Sequence, residues 1–309
     1  MIISTGMRTD IPAFYSSWLA NRLREGYVLV RNPYNRSSVS RYILSPDVVD
    51  VISFCSKNPA PMLKHMHLLK DYGQYWFISI TPYGKDYEPN VPPVSKSIDT
   101  FERLYNIVGK DSMGWRYDPI IIDDKYSLEY HEAVFAEMAY KLAAFTDTCV
   151  ISFVDLYAKV RRNCPDIRAV EFTDRVEIVK RFTSIGKECG INIKPCCEGH
   201  LYDLYGVDPS GCFPPAVYEK VLGSRLNVPS GVKSQREGCN CILGHDIGEY
   251  DTCPHMCRYC YANTDKATVK NNLLKHDPNS PFLIGNKEPG DIIRDARQES
   301  WIERQISLF

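Results

Sequence analysis

Residues 76–80 read Trp-Phe-Ile-Ser-Ile, a short and nearly continuous apolar run that is typical of a parallel strand buried on both faces. Other short, largely apolar segments predict six more strands, at Ile2–Ser4, Tyr27–Val30, Val49–Phe54, Tyr117–Ile122, Cys149–Phe153 and Ile191–Ile193. Segments with helical spacing lie between several of them. Because strands that alternate with helices form βαβ units, the pattern predicts an α/β fold with a parallel sheet.

The helical segments show apolar residues at every third or fourth position, and the clearest stripe consists of Leu128, His131, Phe135, Met138, Leu142 and Phe145. Asp10 is the expected N-cap of the first helix, with Pro12 in its first turn. Seven strands favour a parallel (βα) barrel of the TIM type, closed or incomplete with six to eight strands, over an open doubly wound sheet. The sequence contains no glycine-rich dinucleotide turn or Walker loop, which argues against nucleotide-binding folds.

The composition limits the classes of function. The chain has 309 residues, of which 44% are hydrophobic and 24% charged, and a net charge of -1 gives no global attraction to nucleic acid or anionic membranes. No apolar run approaches the length of a membrane helix, and the first residues lack the order of a secretory signal. We therefore expect a cytoplasmic protein with no membrane partner.

Cysteines are concentrated in one region. Five of the twelve lie within 22 residues, at Cys239, Cys241, Cys253, Cys257 and Cys260. Around them, apolar periodicity gives way to Gly, Asn, Asp and Cys. This change predicts a barrel over residues 1–235 and a cysteine-rich loop with a tail over 236–309, packed on the barrel. The tail from Asp291 is expected to begin with a short charged helix. In a chain without an export signal, such a cluster favours metal binding over disulfides.

The stretch Cys253-Pro-His-Met-Cys257-Arg-Tyr-Cys260 suggests an iron–sulfur site, because three closely spaced thiolates can bind one cluster. Three cysteines are one short of filling a [4Fe–4S] cluster, so one iron would stay open to a small molecule. The alternative is a structural zinc ion, which Cys239 and Cys241 could complete as tetrahedral ligands. These two cysteines are equally candidates for an auxiliary cluster.

This C-x3-C-x2-C pattern resembles the signature of the radical S-adenosylmethionine (SAM) superfamily. The resemblance implies that Cys253, Cys257 and Cys260 bind the iron and that Tyr259 packs near the cluster or the adenine. It also implies that SAM binds the open iron and is cleaved reductively to a 5′-deoxyadenosyl radical. The electron would come from a reductant such as flavodoxin or ferredoxin.

Three further segments, 53–59, 78–93 and 116–120, are similar to strings of the spore photoproduct lyase-like branch, which includes DNA-repair enzymes. Over nearly its whole length the chain resembles an uncharacterised bacterial domain-of-unknown-function family, whose members begin with Arg-Thr-Asp-Ile-Pro, here residues 8–12. Radical SAM barrels carry their cysteines after the first strand, whereas here they follow the barrel. The loop is therefore expected to fold back over the barrel mouth.

Barrel enzymes place their chemistry at the carboxyl ends of the strands, where several polar residues occur in this sequence. The candidates for catalysis are Arg8, Asp10 and Cys197, the last as a thiol hydrogen donor. The candidates for cofactor binding, besides Tyr259, are Lys57, Arg116 and Asp118. Asp10 could instead only cap its helix, Lys57 could only pair with a carboxylate, and Arg116 and Asp118 could form a buried ion pair. Cys197 could be an ordinary core cysteine.

The last five residues, Gln305–Phe309, resemble the bacterial sliding-clamp-binding pentapeptide. Together with the photoproduct-lyase-like strings they favour nucleic acid as a substrate, with a small metabolite as the alternative. The leading hypothesis is a radical SAM-type enzyme. Two others stand beside it: an iron–sulfur protein whose open iron binds substrate without SAM, and a non-enzymatic, zinc-stapled binding barrel.

Overall fold

The computed structural model describes residues 1–232, 239, 241–242 and 244–303. Ten strands lie in this part of the chain: β1 (Ile2–Ser4), β2 (Tyr27–Arg31), β3 (Ser38–Ile43), β4 (Val51–Ser56), β5 (Gly73–Ser79), β6 (Met113–Ile120), β7 (Thr148–Phe153), β8 (Asn192–Pro195), β9 (His245–Asp246) and β10 (Ile292–Asp295). They form a seven-stranded sheet of order β8-β7-β6-β5-β4-β1-β9 and a three-stranded sheet of order β10-β3-β2.

All neighbours in the seven-stranded sheet run parallel. From β1 through β4, β5, β6 and β7 to β8, each strand of this sheet lies beside the one that precedes it in the chain. This succession is typical of a (βα) barrel and brings the carboxyl ends of the strands to one edge. The short β9 returns to pair with β1, and so joins the cysteine-rich region to the start of the chain.

The described residues contain eight α-helices: α1 (Ile11–Phe14), α2 (Ser16–Glu25), α3 (Val94–Val108), α4 (Leu128–Leu142), α5 (Ala158–Asn163), α6 (Phe172–Cys189), α7 (Pro215–Leu222) and α8 (Lys266–Leu273). Local sequence sets several of their ends. The Asp10 side chain accepts a hydrogen bond from the amide of Ala13 and caps α1. Gly26 and Gly190 adopt left-handed conformations where α2 and α6 end, because glycine has no Cβ to oppose a positive φ.

The outer face of the sheet, defined here as the face covered by α4 and α6, is an aromatic core. Trp115 of β6 stacks on Phe135 of α4 with ring centroids 4.9 Å apart, and Phe135 stacks on Phe182 of α6 at 3.7 Å. Tyr117 meets His131 of α4, a residue of the predicted helical stripe. These large buried side chains provide the hydrophobic stabilisation of the parallel sheet.

The inner face, on the opposite side, is filled by the chain that follows β8. Tyr75 and Phe77 of β5 contact Tyr218 of α7 and Phe213 just before it. Gly114 of β6 leaves room for these rings, because a Cβ there would lie 2.4 Å from a carbon of Phe77. A void of about 10 Å³ lies between β1, β4 and α7, beside the rings of Phe213 and Tyr218.

Six of the seven predicted strands belong to the parallel sheet, with small differences in their bounds. The placement of Tyr27–Val30 in a parallel barrel is wrong, because β2 pairs antiparallel with β3 in the smaller sheet. The predicted helix after Asp291 is also wrong, since residues 292–295 form β10 beside β3. The pairing with β3 supplies backbone partners that a short isolated helix would lack.

Over the described residues the large sheet is open, because β8 and β9 form its two edges without pairing. Between them, the described chain contributes α7 and a short 3₁₀ turn in place of additional strands of this sheet. The expected boundary at 235/236 and the pentapeptide Gln305–Phe309 lie outside the described residues. No helix in the described part of the chain is both long and apolar enough to span a membrane.

Candidate functional site

Asp10 is a buried junction between the first strand, the fourth strand and the cysteine loop, defined here as residues 253–260. Its Oδ1 accepts hydrogen bonds from the Ala13 amide at 3.1 Å and the Ser56 hydroxyl at 2.7 Å. Its Oδ2 accepts from the Lys57 amide at 2.8 Å and lies 2.9 Å from His255 Nε2. Asp10 therefore caps its helix, as its position in the sequence allows, and also holds the cysteine loop against the carboxyl edge of the sheet.

Two asparagines hold the loop by its backbone. The Asn90 amide nitrogen donates to the carbonyl of Pro254 at 2.8 Å, and the Asn263 amide nitrogen donates to the carbonyl of Cys253 at 2.7 Å. Met256, at the centre of the loop, has a φ of 58°, a left-handed conformation that a non-glycine residue rarely adopts. Hydrogen bonds from two side chains and a tight turn at Met256 thus fix the conformation of this eight-residue loop.

Two of the loop thiols receive backbone hydrogen bonds. The amide of His255 donates to the sulfur of Cys253, and the amide of Ala262 donates to Cys260 Sγ at 3.3 Å. Cys253 is buried and Cys260 half-buried. Backbone N–H groups directed at sulfur favour the thiolate, and such hydrogen bonds tune iron–sulfur clusters.

The third thiol, Cys257, lies beside a buried ion pair. Lys57 Nζ donates to Glu88 Oε1 at 2.7 Å, and the Thr81 hydroxyl donates to the same oxygen at 2.7 Å. The hydroxyl of Tyr259 also bonds to Glu88 and interacts with the thiol of Cys257. The predicted cofactor-binding residues Lys57 and Tyr259 therefore share one carboxylate next to a predicted iron ligand.

Burial controls the ionisation of this region. It raises the pKa of the Cys257 thiol, while the charge of Lys57 acts in the opposite direction. Burial by itself lowers the pKa of Lys57, but the negative charges of Glu88 and Cys257 together raise it by more. The pKa is therefore raised overall, and the ammonium form is favoured. A positive charge is thus kept beside thiols that need a cation in order to ionise at neutral pH.

The predicted pair Arg116 and Asp118 lies on the inner face of β6. The Arg116 Nε donates to Asp118 Oδ2 at 3.0 Å, and the Ser152 hydroxyl bonds to the other oxygen. A second guanidinium nitrogen lies 3.7 Å from Cys196 Sγ. The two residues form the ion pair that their sequence positions suggest, and the arginine is directed toward a different cysteine from those of the loop.

Arg8 lies in an open cleft of about 400 Å³ between the two sheets. Its guanidinium is 3.7 Å from Asp246 and lies over the ring of Tyr250. Tyr261, which directly follows the cysteine loop, also lines this cleft, and its hydroxyl donates to the Met7 carbonyl at 2.6 Å. The cleft therefore reaches the edge of the loop, and its volume is in the range of small-molecule sites.

The remaining predicted residues, Cys197, Cys239 and Cys241, come together with one another. Cys197 interacts with Cys239, and Cys239 interacts with Cys241. They lie near the end of β8, where Cys196 and Cys212 join them. The structure thus separates the predicted site into two groups of thiols with different neighbours.

Within the described ranges, no three His, Cys, Asp or Glu side chains are already arranged to hold a metal ion. A single zinc ion draws its thiolates to within about 4 Å of one another, because each Zn–S bond is about 2.3 Å long. A [4Fe–4S] cluster binds each thiolate through a different iron and separates them more widely. The thiols of Cys253, Cys257 and Cys260, with two backbone N–H donors and the nearby Lys57 ammonium, fit a cluster in their chemistry.

Glu88, His255 and Asn263 are site residues whose roles the sequence did not reveal. His255 is buried between Asp10 and the Asn90 carbonyl. In the sequence, only its position between Cys253 and Cys257 indicated that His255 could belong to the site. Glu88 is distant in sequence from Lys57 and Tyr259, so only the fold could show that it joins them.

No curated protein and no solved structure matches the chain. The resemblance to a domain-of-unknown-function family is confirmed by a family profile that matches residues 2–262, a range that includes the parallel sheet and the whole cysteine loop. The chain therefore belongs to the family described as domain of unknown function DUF1848.

Proposed function

We propose that this protein is an iron–sulfur enzyme of the radical SAM type, with a [4Fe–4S] cluster held by Cys253, Cys257 and Cys260. The observation that carries the proposal is the environment of these thiols. Cys253 and Cys260 each accept a backbone hydrogen bond, Cys257 lies beside the buried Lys57, and the three lie at the carboxyl edge of a parallel sheet. This edge is where parallel α/β enzymes place their chemistry.

The chain's own residues would hold and insulate such a group. The amides of His255 and Ala262 would stabilise the thiolates of Cys253 and Cys260, and the Lys57 charge would offset the negative charge of Cys257. Asp10 would keep the loop closed over the sheet through His255. When bound, the cluster would pass an electron from a flavodoxin- or ferredoxin-type reductant to SAM and so start radical chemistry on a substrate.

We place the small-molecule site in the cleft beside Tyr261. The Arg8 guanidinium, which is paired with Asp246, and the ring of Tyr250 line the cleft, and they suit a ligand that carries hydrogen-bond acceptors and a planar ring. A cleft of about 400 Å³ favours a small metabolite over a nucleic-acid duplex as the molecule bound there.

The test is anaerobic reconstitution with iron and sulfide, followed by electron paramagnetic resonance of the reduced protein with and without SAM. The triple variant Cys253→Ser/Cys257→Ser/Cys260→Ser should lose about four irons relative to the wild type, the content of one cluster. The wild type should show a SAM-dependent spectral change and release 5′-deoxyadenosine when dithionite is supplied. Cys189→Ser, at the distant end of α6, is the matched control and should behave as wild type.

Three outcomes would contradict the proposal in different ways. Equal iron in the wild type and the triple variant would exclude a cluster at the loop. A loop cluster indifferent to SAM would indicate an open iron that binds substrate directly. Zinc lost from the triple variant, without any loss of sulfide, would indicate the zinc-stapled binding protein.

A further inference from the structure

Five cysteines form a closed ring at the carboxyl end of β8, apart from the cysteine loop. Contacts run from Cys196 to Cys197, whose sulfurs are 4.0 Å apart, then to Cys239, to Cys241, to Cys212 and back to Cys196. The five residues come from three separate segments of the chain. We call this group the five-cysteine ring.

Polar groups on the protein are directed at the sulfurs of this ring. The amide of Phe213 donates to Cys241 Sγ at 3.3 Å, and Arg116 Nη2 lies 3.7 Å from Cys196 Sγ. A backbone donor and a guanidinium both favour thiolates over thiols. A set of cysteines that served only as small apolar residues would have no need of either group.

Backbone strain and burial also distinguish the ring. Cys197 has a φ of 60°, a left-handed conformation that costs energy for a residue with a Cβ. Cys212 and Cys241 are only 2% and 3% exposed, whereas Cys196, Cys197 and Cys239 are half-buried. The ring therefore has an inner, dry side and an outer side that a ligand can reach.

Other cysteines provide a comparison. Cys149 is buried on β7 and Cys164 lies at the end of α5. Both are single buried thiols whose pKa burial raises, which is the behaviour of an ordinary core cysteine. Five thiols joined by successive interactions, by contrast, form a donor set large enough for a metal centre.

We propose that the five-cysteine ring is a second thiolate-ligated metal centre, distinct from the one proposed at the cysteine loop. Four thiolates complete the tetrahedral shell of zinc or the ligand set of an iron–sulfur cluster, and the ring supplies five. Each thiol that binds loses its proton to solvent. As they stand, no three His, Cys, Asp or Glu side chains among the described residues form a group that could hold a metal ion, and binding therefore requires the ring sulfurs to move closer together.

The experiment isolates the ring by starting from the triple loop variant, so its result does not depend on the proposed function. The reduced, metal-stripped protein is titrated anaerobically with Co²⁺, a probe whose thiolate complexes absorb strongly in the near ultraviolet. We expect one equivalent of Co²⁺ to bind with that absorbance. Adding Cys212→Ser and Cys241→Ser should weaken binding by at least about tenfold.

Two controls keep the test decisive. Cys164→Ser in the same background should bind Co²⁺ unchanged, because that thiol lies outside the ring. Because Cys212 and Cys241 are buried and their variants could fail to fold, Cys197→Ser and Cys239→Ser, at half-buried positions, provide a second route to the same loss. Circular dichroism confirms that each variant is folded.

The metal and sulfide content of the anaerobically purified protein identifies whether zinc or an iron–sulfur cluster occupies the centre. Zinc without sulfide, or iron with equimolar sulfide, retained by the triple loop variant and lost from the ring variants, supports the proposal. It would be overturned by Co²⁺ binding that the ring substitutions leave unchanged. It would equally be overturned if alkylation and mass spectrometry of the metal-free preparation showed that four of the five thiols pair as two disulfides.

Discussion

The cysteine loop and the five-cysteine ring are both rich in thiols, but the chain builds them in opposite ways. The loop takes three thiols from eight consecutive residues, and asparagines and Asp10 hold it in place from outside. The ring takes five thiols from three segments that meet only when α7 and the chain beyond it cover the inner face. A spacing motif can therefore reveal the first group but not the second.

The two groups nevertheless share one electrostatic device. The loop faces Lys57, which is paired with Glu88, and the ring faces Arg116, which is paired with Asp118. In each case a carboxylate holds a buried cation beside thiols that burial alone would keep protonated. The difference is one of solvent access, because Glu88 is 2% exposed and Asp118 is 20% exposed.

The largest loss of stability is expected from Lys57→Met, which removes the buried cation beside the cysteine loop. It leaves the Glu88 carboxylate buried without its cation, and such a change costs about 3–5 kcal/mol. The free energy of unfolding in urea measures the loss. The double variant Lys57→Met/Glu88→Gln should recover most of it, and a double variant as unstable as the single one would contradict this account.

A smaller effect is expected from Arg116→Met, the matching change at the ring. Asp118 keeps its hydrogen bond from Ser152 and some contact with water, so the loss should be about 1–3 kcal/mol. Urea unfolding of the two single variants under the same conditions compares the pairs directly. A loss at Arg116 as large as that at Lys57 would show that solvent access does not distinguish them.

The smallest change in stability is expected at His131, which lies in the aromatic core and contacts neither group of thiols. Its Nε2 donates to the Ile121 carbonyl at 2.8 Å and its Nδ1 lies 2.7 Å from the Tyr117 hydroxyl, and burial lowers its pKa. The unfolded chain takes up this proton near pH 6.5 and the folded chain only at lower pH. Stability is therefore lost as the pH falls below about 6.5.

His131→Gln should remove this part of the acid sensitivity, because glutamine can still donate to the Ile121 carbonyl but does not titrate. We expect a cost of about 1 kcal/mol at pH 7 and a shallower decline toward pH 5 than in the wild type. Urea unfolding at the two pH values measures both quantities. An unchanged decline would assign the acid sensitivity to other groups.

Much of the fold could be predicted from local patterns. The apolar runs located six strands of the parallel sheet, and Asp10 with Pro12 located the first helix. The prediction was wrong at Tyr27–Val30, because an apolar run does not indicate whether the strand pairs parallel or antiparallel with its neighbour. It failed again after Asp291, where pairing with β3 outweighs the helical preference of a short charged segment.

The sequence by itself determined the parallel α/β class, the family and the three-cysteine motif, because these depend on spacing between residues close in the chain. Tertiary structure alone decided that Glu88 joins Lys57 to Tyr259, that Asp10 holds His255, and that Cys196 and Cys212 meet Cys239 and Cys241. The physical reason is that strand pairing and burial bring together side chains from distant segments. Ion pairs and thiol contacts then form according to that proximity, which no local pattern of the sequence encodes.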